Sequence, residues 1–343
     1  MAEKTIPSNK GIKIPKELLD IAKIEEETGN FKNLHDIATR ENALLLSFIA
    51  PLTAKRTSPI HQKRASIGLI EEFAIEYVTK IIDEKMDLND LKSIYIIINT
   101  PGGDVISSYK IASFLRSKFV DKEIVMFIPH MAASGGTLLS FAANKIVMSD
   151  MAQLTPIDTQ LPYNYTHGYV SALSYLRATS RLNEYFQDKE KAEAPYPMIA
   201  MSDKLDPIIE SEYLVTIRQM EFYARKILKS SGYLDVAIEK IIDTFLFTDF
   251  PHQHAILKKE AKSIGLNIAD NPKLNAILDE VTHWFSYYVL DDNGQHIIKY
   301  ILPTKVEEVK PEQAKKVTGM QLKDEGEKVV MGQLQPKTKN KVH

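Results

Sequence analysis

The chain has 343 residues, enough for one large domain or two small ones at roughly 150 residues each. Hydrophobic residues make up 44% and charged residues 26%, the usage of a globular chain able to bury a sizeable core without staples. Lys and Arg number 43 against 45 Asp and Glu, a net charge of −2 that supplies no bulk attraction to nucleic acid or anionic lipid, and the absence of cysteine removes disulfides, thiolate metal sites and a cysteine nucleophile.

Residues 1–17 lack the apolar centre of a signal peptide. The most apolar stretches, 43–52 and 124–128, are far shorter than the ~20 residues that span a bilayer, so a soluble, cytoplasmic chain with no integral membrane segment is expected. Residues 15–27 read as a helix within an N-terminal helical extension, 1–42. Residues 43–50 (ALLLSFIA) read as a buried strand, 53–64 as a basic surface loop, and 68–84 as a helix with apolar residues at three- and four-residue spacing. Residues 93–99 (SIYIIIN) are a β-branched run of the kind buried on both faces of a parallel sheet. A helix over 104–119, a strand over 123–128, a small-residue turn over 130–136, a helix over 137–143 and a strand over 145–149 follow. This alternation predicts right-handed crossovers and a parallel sheet. Residues 163–200 are rich in tyrosine and read as a segment for packing subunits, or as the lining or cover of a peptide groove. Helices are predicted over 208–230, 234–245, 260–265 and 271–289. The domain expected over 43–303 is followed by a polar tail, 304–343, with too few apolar residues to order itself.

Two turns carry candidate chemistry. Asn99-Thr100-Pro101-Gly102-Gly103-Asp104 joins a strand to a helix, and adjacent glycines leave backbone N–H groups free to hold an anion. By itself it reads as an ordinary tight turn. Neither GxxxxGK[ST] nor GxGxxG occurs in the chain. Ala132-Ala133-Ser134-Gly135-Gly136-Thr137 also joins a strand to a helix, with Ser134 at the helix start and small neighbours that admit a substrate backbone. By itself Ser134 reads as an N-cap. Together the turns lie about 30 residues apart at the ends of strands expected to be adjacent, which would bring a hydroxyl and two N–H donors to one sheet edge. That is half of an acyl-transfer site.

The segments IINTPGGD (97–104), PHMAASGGT (129–137), AANKIVM (142–148) and LTPIDTQ (154–160), with KEAKSIGL (259–266) further on, resemble the serine dehydrogenase proteinase family. That family stands with signal peptide peptidase A and the Clp proteolytic subunit in the ClpP/crotonase superfamily. The resemblance implies an α/β fold with a parallel-sheet core, βα crossovers and a helical C-terminal part. It implies a serine peptidase that acts on peptide or protein substrates through an acyl-enzyme, needs no cofactor or metal, and works as a homo-oligomer. Ser134 matches the nucleophile, and Gly103 and Gly135 match the oxyanion-hole donors, with Gly102 and Gly136 beside the substrate. The crotonase branch uses the same turns without this serine, which favours the peptidase branch over an acyl-CoA enzyme. A catalytically silent binding or scaffold protein on the same fold is the other alternative.

The general base stays unassigned. In the Clp subunit a histidine follows the serine by about two dozen residues, and here Asp158 stands in that neighbourhood. Signal peptide peptidase A uses a lysine; Lys189, Lys191 and Lys204 are available, but a lysine base must be buried, and Lys189 and Lys191 lie in a polar run. His130, four residues before Ser134, matches a histidine of the family pattern and is a second catalytic candidate beside Asp158. Its alternative is a turn residue that hydrogen-bonds backbone. His252, in Phe250-Pro-His-Gln-His254, reads as a structural or substrate-contact residue, since two histidines in a loop make a weak metal site.

Overall fold

The computed structural model describes residues 31–49, 70, 75, 78–79, 82, 90–163, 168–187, 196–247, 249–288 and 297–301. The helix expected over 15–27, the basic loop over 53–64 and the polar tail lie outside them. Helix α1 (Phe31–Glu41) leads into strand β1 (Ala43–Ile49), and β2 (Ser93–Asn99) runs parallel to it. Helix α2 (Val105–Lys118) crosses to β3 (Glu123–Ile128), parallel to β2. A two-residue strand β4 (Met131–Ala132), helix α3 (Gly135–Ser140) and β5 (Lys145–Met148), parallel to β3, complete this pattern. The short strand β6 (Gln153–Leu154) and the hairpin of β7 (Gln160–Tyr163) and β8 (Gly168–Ser171) come next. Helices α4 (Ala172–Gln187), α5 (Tyr196–Ser202), α6 (Pro207–Ser230) and α7 (Asp235–Phe245) follow, then β9 (Ile256–Leu257), α8 (Lys258–Ile264), α9 (Pro272–Tyr288) and β10 (Ile297–Ile301).

The main sheet has the order β10-β1-β2-β3-β5, and only its edge strand β10 is antiparallel. Its apolar runs are continuous because both faces are covered. Alternate side chains sort into two layers. Leu44, Leu46, Phe48, Ile94, Ile96, Ile98, Ile124 and Met126 face Ile111 and Leu115 of α2 and Ala224 and Ile227 of α6. Ala43, Leu45, Tyr95, Ile97, Val125, Phe127 and Val147 face Leu34 and Ile37 of α1 and Ile277 and Val281 of α9. Each fully buried isoleucine of β2 contributes about 1.5–3 kcal/mol, and Ile94, Ile96 and Ile98 are all completely covered. This is the expected α/β architecture, with a parallel-sheet core and a helical C-terminal part.

Three expectations change in detail. The segment after β3 does not turn straight into a helix: β4 leaves the main sheet for a second one of order β4-β6-β9. The helix begins at Gly135 rather than Thr137, so both glycines lie within it. Part of the tyrosine-rich stretch belongs to the chain's own interior: the Tyr175 ring packs edge-on to Tyr213 at 4.9 Å, and its hydroxyl accepts a hydrogen bond from the Asp206 N–H at 2.9 Å.

Candidate active site

The Gly102–Gly103 turn forms because β2 ends at a residue that can tie it down. The Thr100 hydroxyl accepts from the Gly102 N–H at 3.1 Å, and both glycines take positive φ, +118° and +150°. The turn is clamped from outside. The Ile70 N–H donates to the Gly102 carbonyl and the Asp104 N–H donates to the Ile70 carbonyl, each at 2.7 Å. A Cβ at Gly103 would lie 2.1 Å from the Ile70 nitrogen, so only glycine fits. Asp104 then caps α2, its carboxylate accepting from the Ser107 N–H at 2.7 Å.

The serine turn docks on this one. The Thr100 N–H donates to the Met131 carbonyl at 2.9 Å, and the Ala133 N–H donates to the Thr100 carbonyl at 3.0 Å. Ser134 sits at φ 49°, ψ −115°, outside the regions open to L-residues. Its N–H is held by the Thr155 hydroxyl at 2.9 Å. The Thr155 N–H in turn donates to Thr137 Oγ1 at 3.1 Å, and that hydroxyl donates to the Ala132 carbonyl at 2.7 Å. Ser134 precedes α3 but its hydroxyl does not cap it, so the N-cap role does not hold. The side chain is partly exposed at a strained strand-to-helix turn, the setting of a nucleophile elbow.

The two turns touch. A Cβ placed on Gly135 would lie 3.2 Å from the Gly103 nitrogen, and one on Gly102 would lie 2.8 Å from Ser134 Cβ. Among the described residues, the N–H groups of Gly103 and Gly135 find no acceptor. Gly136 faces the interior, where a Cβ would meet the Thr100 methyl at 2.5 Å, so it serves close packing of the two turns.

Asp158 and His130 part company. His130 is exposed and stands at the end of β4 opposite to Ser134; its carbonyl accepts from the Gln153 N–H at 2.9 Å. Asp158 is buried, three residues beyond Thr155. Its Oδ1 lies 2.7 Å from His252 Nδ1 and its Oδ2 accepts from Gln160 at 2.9 Å. Burial pushes the Asp158 carboxyl up, but hydrogen bonds from His252, Ser171 and Gln160 outweigh it and hold the group below the usual carboxylate range. His252 is thus the partner that sequence reasoning placed in a minor role. The signal was present: His252 lies four residues ahead of β9, as Asp158 lies four beyond β6, but two-residue strands are invisible to periodicity. Lys204 is exposed, and Lys189 and Lys191 lie outside the described residues.

No group of three or more His, Asp or Glu side chains among the described residues could hold a metal ion, and none of the described helices is long and apolar enough to cross a membrane.

Comparison with known proteins places the chain. An uncharacterized protein of Methanocaldococcus jannaschii is 29% identical over 237 residues, 66% of this chain and 73% of that one. A second uncharacterized protein of the same organism is 28% identical over 51% of this chain and 52% of its own length, and a putative protease there is 24% identical over 32% and 35%. Among solved structures, a serine-to-alanine mutant of a membrane-bound stomatin-specific protease is 15% identical with a TM-score of 0.38, covering 62% of this chain and 79% of that one. A variant of it in complex with a substrate peptide is 14% identical, also with a TM-score of 0.38, covering 67% and 82%. The family model for ClpP-like SDH-type serine proteinases matches residues 65–316, a span that holds both glycine turns, Ser134, Asp158 and His252, and the chain belongs to that family.

Proposed function

We propose that the protein is a serine peptidase whose nucleophile is Ser134. The observation that carries this reading is the disposition of Ser134 itself. Its backbone is strained, its hydroxyl is not spent on capping α3, and it lies between two N–H groups without acceptors among the described residues. Ser134 Oγ attacks a peptide carbonyl, and the N–H groups of Gly103 and Gly135 receive the oxygen as it becomes an oxyanion. Such a donor is worth about 10²–10³ in rate. The acyl-enzyme then hydrolyses. Family membership supports peptide or protein substrates, and the resemblance extends the proposal to a homo-oligomer.

The test is labelling by a fluorophosphonate, read by intact-protein mass and peptide mapping, together with cleavage of a broad peptide library. The wild type should gain one adduct on Ser134 and cleave peptides, and Ser134→Ala should do neither. Cleavage that persists in purified Ser134→Ala would overturn the assignment.

A further inference from the structure

Helix α6 is apolar on two opposite sides, and the fold covers only one of them. The inner side, Tyr213, Ile217, Met220, Ala224 and Ile227, recurs every three or four residues and is buried as the helix packs on α2, α4 and α7. The outer side carries Ile208, Val215 and Phe222, each seven residues from the next, and they stay 71%, 61% and 58% exposed. A seven-residue step drifts only about 20° around an α-helix, so the three form one nearly straight stripe, about 21 Å long. Val215 points about 160° away from the buried Tyr213 and Ile217. The solvent side of a helix that packs by one face is ordinarily polar.

We infer that this stripe is a self-association surface: a second copy of the chain lays its own α6 against it, antiparallel, about a twofold axis at Val215. The inference stands on α6 alone and does not depend on the peptidase reading.

The sequence around Val215 is what selects a second copy. In a twofold contact residue i meets j and j meets i. An axis at Val215 sets that residue against itself. Ile208 then comes to the level of the partner's Phe222, because both stand seven residues from Val215. Glu212 and Arg218 stand three residues to either side, both exposed, so opposite charges meet at one level, twice over. Among the described residues neither of these side chains makes an ion pair. The wider charge follows the same order. Glu210 and Glu212 lie before Val215, while Arg218, Lys226 and Lys229 lie after it. Arg225 is already paired with Glu221 and Glu239. Antiparallel helices set acid against base; parallel ones would set like charges side by side, which is costly.

The flank of the stripe is ordered in advance, which lowers the entropy lost on association. Lys226 Nζ sits over the Phe222 ring, 5.7 Å from its centre, and Gln219 donates to the Tyr223 hydroxyl at 2.8 Å. The helix has 24 residues, so it is about 36 Å long and about 10 Å across. Two such helices packed along the stripe bury on the order of 1,000 Å² in total, the lower end for a specific interface. The contact is therefore a reversible dimer that falls apart on dilution. Leu234 and Val236 of α7 are exposed too, at 78% and 85%, but they belong to no repeat; single exposed apolar residues are ordinary.

Sedimentation of the full chain from about 1 to about 300 μM tests the seam. The wild type should show a reversible, concentration-dependent doubling of mass. Val215→Asp, which sets two carboxylates together at the axis, should weaken association about 100-fold or more and leave the melting of the monomer unchanged. Glu212→Arg and Arg218→Glu should each weaken it, and the double variant should restore it, which a merely local disturbance would not do. The chain has no cysteine, so Val215→Cys carries a single thiol. Mild oxidation should join it to its own copy, while Leu234→Cys should stay unlinked. A wild type that remains monomeric throughout would overturn the inference. So would an oligomer that survives Val215→Asp, or a Val215→Cys variant that links no faster than Leu234→Cys; either would assign self-association to another surface. None of these outcomes bears on Ser134 as nucleophile, which fluorophosphonate labelling tests separately.

Discussion

Replacing Ser134 by glycine should make the protein more stable and inactive at once. At φ 49°, ψ −115° the serine occupies backbone space that L-residues avoid, at a cost of order 1–3 kcal/mol. Glycine has no Cβ and removes that cost, while its freer unfolded chain returns about 0.4–1 kcal/mol. Nothing is forfeited at the helix, because the hydroxyl caps no N–H of α3. The balance is a gain of about 0–2.6 kcal/mol, centred near 1.3 kcal/mol. At roughly 2 °C per kcal/mol for a chain of this size, the melting temperature rises by up to about 5 °C, with about 2–3 °C at the centre of the range. Ser134→Ala is the control. It keeps the Cβ and the strain, so it should lie within about 0.5 kcal/mol of the wild type, whereas a lost cap would cost roughly 0.5–2 kcal/mol. Differential scanning calorimetry of the three proteins at one pH decides the matter. A glycine variant that melts below the wild type, or an alanine variant that loses a full cap's worth, would refute the claim that the strain is there and the hydroxyl idle.

Other sites make narrower predictions. Gly103→Val should reduce stability as well as activity, since its Cβ would fall 2.1 Å from the Ile70 nitrogen and 2.4 Å from the Ile70 carbonyl oxygen; a normal denaturation midpoint would show that the clamp yields freely. Thr155→Val leaves the Ser134 N–H and its own neighbourhood short of an oxygen, and urea unfolding should register a loss of about 1–3 kcal/mol, with an unchanged midpoint arguing against it. Asp158 is held below its unfolded value, so its contribution is complete above the ordinary carboxylate value of about 3.9 and is lost as pH falls through the lower folded value. The stability gap between wild type and Asp158→Asn should therefore narrow on acidification below about pH 4, and a gap that stays constant would contradict the sign.

The main sheet was legible because its signal is long and redundant. Five of the seven residues of SIYIIIN are apolar or β-branched, and such a run bounded by Thr-Pro-Gly-Gly has few other readings. The glycine turns were legible for a related reason: adjacent glycines between a strand and a helix report a backbone constraint. Two-residue strands such as β4, β6 and β9 carry no period, so the small sheet they form, and with it the Asp158–His252 contact, could not be read. The antiparallel edge strand β10 was missed because IIKYI follows a polar segment and pairs with β1, about 250 residues earlier, a contact no local pattern records. His130 misled because nearness in sequence was taken for nearness in space. Four residues of nearly extended chain carry a side chain across β4 to its far end.

The layout divides the proposed machinery by how firmly each part is held. Ser134 and the Gly135 donor share one peptide unit, and the Gly103 donor is fixed to them through Thr100, Met131 and Ala133 and clamped by Ile70. The nucleophile therefore cannot move without its oxyanion donors, which is the rigidity that electrostatic preorganisation demands. The Asp158–His252 pair is held differently. His252 belongs to a connecting segment between α7 and β9 and is oriented through its side-chain bond to Asp158. Changes around Gly102, Gly103 and Thr155 cannot be separated from the fold, because the hydrogen bonds that place the donors are the same ones that join the two sheets.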